Sequence, residues 1–87
     1  MKVVQNPQLS FHELEDECLL HDEKAGKVHV LNHSARFVWS RCSVAIEKDE
    51  LARLLSAEYQ VDAETALVDT NAIVTSFLER SILIKAN

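Results

Sequence analysis

Apolar positions occur in short, loosely alternating runs over the first third of the chain and recur at helical spacing after Asn32. Leu9–Leu14 alternates imperfectly and predicts a weak first strand. Glu15–Glu17 is a charged connection, and Cys18–His21 predicts a second strand. Asp22–Gly26 predicts a turn, with the only glycine of the chain where a positive φ is needed. Lys27–Leu31 is mostly β-branched or apolar and predicts a third strand. Three short strands joined by short turns make an antiparallel meander, and so small a sheet needs helices behind it. Residues 1–8, with Asn6–Pro7 as a turn or strand-start signal, read as a poorly ordered lead-in.

Asn32 is a good N-cap, because its side-chain oxygen can accept from a free amide of the first turn. The first helix is predicted over His33–Cys42, with Ala35, Val38, Trp39 and Cys42 on one face. A second helix is predicted from Glu47 to Glu58 or Tyr59, with Leu51, Leu54, Leu55 and Tyr59 on one face and Glu47, Asp49 and Glu50 at the positive end of its dipole. After Gln60–Val61, Asp62 caps a third helix, Ala63 to Arg80. This helix has two adjacent apolar stripes, Ala66–Ile73–Phe77 and Leu67–Val74–Leu78. Such a width suits either contact with the core and with something further, or burial on two sides. Ile82–Ile84 predicts a final strand or extended segment. The class is α+β in a single domain, residues 1–87, with a three-stranded antiparallel sheet followed by three helices.

The formal net charge of −5 disfavours phosphate backbone and anionic membrane as partners. The two later helices have the outline of a helix-turn-helix. The second of them carries Glu64, Asp69 and Glu79 against Arg80 alone, so DNA binding is the least favoured reading. No run approaches a membrane span or a signal peptide, which makes a cytoplasmic location the default. Cys18 and Cys42 are too far apart for a redox or zinc pair and read as reduced, semi-buried thiols. His12, His21, His29 and His33 lack a close helical ligand spacing, and His21 with His29 would supply only two ligands, so no metal is expected. No Gly-rich phosphate loop or activated nucleophile is legible, and neither catalysis nor a cofactor is expected.

The remaining chemistry is that of a strand edge. An outer strand of a meander presents unpaired N–H and C=O groups, and Lys27–Leu31 is apolar on both faces. An extended peptide can add itself there as a further strand. The competing arrangement has Val3–Val4 or Ile82–Ile84 covering that edge.

Asp22, Glu23, Gly26, Val28 through Ala35, Val38 and Trp39, then Glu50, Leu51, Leu55, Tyr59 through Val61, Asp69 and Glu79 through Leu83, resemble the coenzyme PQQ synthesis protein D family. The resemblance runs without gaps from about Asp22 to Leu83. It implies a winged helix-turn-helix and a peptide-recognition element of ribosomally made, post-translationally modified peptides. Such a domain binds the leader of a precursor peptide beside strand three and against helix three. It presents the peptide to a modifying enzyme, often a radical S-adenosylmethionine protein. Carried onto this chain, the peptide would run along Lys27, Val28, His29, Val30 and Leu31. On helix three it would meet Ala63, Leu67, Asp69 and Asn71, of which the family motif marks only Asp69 and helical spacing supplies the rest. The chain departs from the family pattern at Ser43–Val44 in place of an Asp-Gly turn, Glu47 in place of a capping Thr, and Ser81 in place of a Gly. His29 stands where an aromatic is common, which marks it as a specificity position. The second functional reading is a structural or protein-interaction winged helix, including a homodimer that pairs its own edges.

Overall fold

The computed structural model describes residues 1–86. The three expected strands form one antiparallel sheet in the order β2 (Leu9–Leu14), β3 (Glu17–Asp22), β4 (Lys27–Leu31). Register is set by two tight connections. Asp22 pairs with Lys27 across a turn in which the Asp22 carboxylate accepts from the Ala25 amide at 3.1 Å. Gly26 sits there at φ +67°, with open space where a Cβ would stand, so the backbone angle alone calls for glycine. Cys18 lies opposite Leu31 and Leu20 opposite His29, and all four side chains are buried.

The lead-in does not match the expectation of poor order. Lys2–Gln5 is a strand, β1, and it is the central strand of a second antiparallel sheet. It lies between β5 (Ile46–Glu47) and β6 (Leu83–Ala86). Val3 has 0% exposure because both ladders and the helices close around it. Val3–Val4 and Ile84 therefore pair with one another, and neither covers β4.

The helices are α1 (His33–Ser40), α2 (Lys48–Tyr59) and α3 (Ala63–Glu79). Asn32 caps α1 as expected, accepting from the Ala35 amide at 2.8 Å. Asp62 caps α3 through the Thr65 amide at 2.7 Å, and that bond holds its carboxyl below the usual carboxylate range. Helix α2 begins one residue later than expected, because Glu47 is taken up pairing with Lys2. Val38, Trp39, Leu51, Leu55, Ala66, Val74 and Phe77 of the helices meet Cys18, Leu20 and Leu31 of one sheet, Val3 and Leu83 of the other, and Ile82 of the connection before β6 in one core. Phe11 of β2 lies flat on Trp39, with ring centroids 5.0 Å apart, and so fixes the first sheet to α1.

Helix α3 ends in a Schellman arrangement: the Ile82 amide donates to the Phe77 carbonyl at 2.8 Å and the Ser81 amide to that of Leu78 at 3.2 Å. Ser81 holds the left-handed position at φ +58°. A side chain there costs roughly 1 kcal/mol that glycine avoids. Ser81→Gly is accordingly expected to stabilise the chain by about 0.5 kcal/mol after the added unfolded-state entropy, read as a higher urea midpoint at unchanged slope.

Candidate functional site

Strand β4 pairs only with β3, so its outer edge carries unpaired backbone groups among the described residues. Alternation along it is clear. His29 and Leu31 point into the core, whereas Val28 and Val30 are 57% and 61% exposed. Beside the edge runs a groove of about 270 Å³. Val30, Leu31 and Asn32 form its strand side, Ala35 its α1 end, and Ala72, Ile73, Ser76, Phe77 and Arg80 its α3 side. The groove exists because Ala35, Ala72 and Ser76 are small where the strand and helix face each other. Its Ile73 and Phe77 belong to the apolar stripe expected on the third helix.

The expected site residues divide. Lys27, Val28, Val30 and Leu31 all lie on the open strand. His29 lies on it too, but its imidazole is buried under the sheet and does not project toward a neighbouring strand. Asp69 is exposed and shares the helical stripe of Ile73, Ser76 and Arg80 at spacings of four, three and four residues. Asn71 lines a shallow depression on the outer flank of α3 with Thr75 and Glu79, next to the groove. Ala63 and Leu67 are not brought to the strand. They line a separate pocket with Asp49, Ala52, Arg53 and Ser56 of α2. Leu67, two residues from Asp69, falls on nearly the opposite side of the helix. Spacing counted from Asp69 would have found Ile73, Ser76 and Arg80; nothing local signals Ala35 or Ala72.

One polar contact crosses the inner wall. The Arg80 Nη2 donates to His29 Nδ1 at 3.1 Å. This requires the neutral tautomer with its hydrogen on Nε2, an atom that is buried without a hydrogen-bond partner among the described residues. Burial, and after it the Arg80 charge, holds the imidazole pKa below its ordinary 6.5, with Asp22 opposing and Lys27 adding to the depression. The native state therefore stays neutral over a window in which the unfolded chain takes up a proton. Stability is expected to be level above pH 6.5 and to fall as pH drops below it toward the lowered native value. His29→Leu should flatten that part of the curve, as urea midpoints taken between neutral pH and about pH 5 would show.

Elsewhere the chemistry is quiet. Burial pushes the Cys42 thiol up to about 12, and its Sγ lies 3.2 Å from the Val38 carbonyl. Cys18 is also buried and raised by desolvation. Among the described residues no three His, Cys, Asp or Glu side chains gather as a metal site, and no helix is long and apolar enough to cross a membrane.

Two solved structures share this architecture along nearly its whole length. One, described as lasso peptide synthetase B1 complexed with the leader peptide, superposes with a TM-score of 0.83 at 25% identity, over 98% of this chain and 100% of the other. The second, TbiB1 in complex with the TbiA(beta) leader peptide, has a TM-score of 0.82 at 19% identity, over 97% and 98%, and bears on the fold alone. A sequence search of curated proteins finds no match. The family described as coenzyme PQQ synthesis protein D matches residues 17–83, which span all of β3, β4 and the three helices, and the chain therefore belongs to the coenzyme PQQ synthesis protein D family.

Proposed function

We propose that this chain is a non-catalytic cytoplasmic adaptor that captures the leader segment of a ribosomally made precursor peptide and presents it to a modifying enzyme, such as a radical S-adenosylmethionine protein. The observation that carries this reading is the unpaired outer edge of β4, set beside a groove on α3. The lasso peptide synthetase B1 structure, whose full length this fold matches, is of a protein holding a leader peptide.

The mechanism follows from the edge. A leader strand pairs its backbone with residues 27–31, which supplies affinity with little dependence on sequence. Alternate leader side chains then face the groove, where Ile73 and Phe77 reward an apolar residue and the small Ala35, Ala72 and Ser76 leave room for it. Once held, the remainder of the precursor sits near the bound enzyme at an effective concentration on the order of millimolar.

Titration with the precursor peptide encoded beside this gene tests the reading. Amide resonances of residues 27–31 and of the Ala72–Arg80 face should shift together and saturate. A peptide that leaves the β4 amides unmoved, or a concentration-dependent pairing of β4 with a second copy that no peptide displaces, would overturn it.

A further inference from the structure

We infer that Arg80 is a specificity-determining residue of this groove, and that the peptide it selects carries an aspartate or glutamate side chain at the position opposite the C-terminal end of α3. The inference deepens the adaptor reading and rests on it.

Among the described residues, Arg80 is the one charged side chain that lines the groove. It is exposed, and among the described residues it joins none of the salt bridges, which pair Met1 with Glu47, Arg36 with Glu13 and Arg53 with Glu50. Its sequence neighbour Glu79 lines the outer flank of α3 and makes no ion pair with it. In a chain of formal net charge −5, an unpaired cation beside an unpaired strand edge runs against the general charge.

The guanidinium is also positioned. His29 accepts one of its N–H bonds from within the core, at 3.1 Å, and as a neutral imidazole it leaves the positive charge intact. A guanidinium has five N–H donors in a rigid fork, so holding one through His29 still leaves a pair able to grip a carboxylate. The apolar floor of Ile73 and Phe77 limits water around such a contact. Backbone pairing is indifferent to side chains. The groove therefore discriminates through what its walls carry: an apolar pocket at the middle and a fixed cation at one end. The His29 imidazole acts through Arg80 as a positioning group and does not itself meet the peptide.

The test uses the full chain and a displayed library of random-sequence peptides. Binders are kept when they shift the amides of residues 27–31. They are expected to share one Asp or Glu at a fixed distance from their paired segment. Changing that residue to Asn or Gln should weaken binding about tenfold, as loss of one charge-assisted contact does. Arg80→Gln should bind the acid and amide forms alike, and Arg80→Lys should restore part of the preference. Both substitutions are at an exposed side chain, and folding is checked by thermal unfolding. Binders that dock on β4 with no acidic preference, or a preference unchanged in Arg80→Gln, overturn the role of Arg80 while leaving the adaptor reading in place. A library that yields no binder at β4 overturns both.

Discussion

Placing a tryptophan at Ala72 is expected to weaken leader-peptide binding about a hundredfold while leaving the fold intact. Ala72 is an exposed position of α3 that lines the groove opposite β4. Its methyl group is one of three small side chains that keep the groove open. An indole there would occupy space an incoming strand needs. The peptide would then lose its apolar contact with Ile73 and Phe77, and its backbone would be held away from the β4 edge. Losing several ladder hydrogen bonds together with one buried apolar side chain readily exceeds 2 kcal/mol. The cost to the free protein is small, because an exposed helix position tolerates a large side chain within about 0.5 kcal/mol. Ala57→Trp, at an exposed position of α2, serves as the matched control and should bind normally. Isothermal titration on both variants reads the difference, and an Ala72→Trp protein with native affinity would place the ligand elsewhere.

Much of the scaffold that supports this site is local and therefore legible in the sequence. Asn32 and Asp62 satisfy amides three residues on, and both caps are where side-chain chemistry alone puts them. The turn at Asp22–Gly26 fixes the β3–β4 register without help from the rest of the chain. What the sequence conceals is non-local. Strand β1 holds four residues, and its partners are Ile46–Glu47 and Leu83–Ala86, on the far side of all or part of the helical region. No periodicity over so short a run announces pairing at that distance.

The facing of α3 was similarly hidden. Its apolar residues spread over two stripes, and Val68, which resembles a core residue in sequence, is 62% exposed. Only packing decides that Thr70 is buried and that the stripe through Ser76 and Arg80 flanks the strand. His29 shows the same ambiguity. It sits between two valines, and alternation assigns one side of the strand to the core without saying which. The imidazole turns inward, where Arg80 meets it, and the valines are left outside.

Replacing Val3 by aspartate is expected to destabilise the chain by about 3–5 kcal/mol and to abolish peptide capture with it. Val3 has no exposed surface and lies between Ile46 and Lys85 in the second sheet. The segment it anchors ties distant parts together. The Gln5 amide donates to the Cys42 carbonyl at 2.9 Å and its side chain to the Trp39 carbonyl at 2.7 Å, at the end of α1. The Asn6 side chain donates to the Ser81 carbonyl at 2.8 Å, at the end of α3. A carboxylate at Val3 would have no partner in the core and would have to stay charged at high cost or bind a proton. Total stability for a chain of this size is on the order of 4–13 kcal/mol, so the substitution removes a large share of it. The sign of its pH dependence identifies the cause. Burial raises the carboxyl pKa in the native state above its unfolded value, so the penalty should shrink as pH falls through the raised value. Val3→Asn buries a similar polar volume without a carboxyl and should lose stability without that recovery. Urea unfolding of both variants across the acid range separates the two effects. A Val3→Asp protein within 1 kcal/mol of the parent would mean that β1 is not the clasp holding the end of α3, and with it Arg80, beside the strand edge.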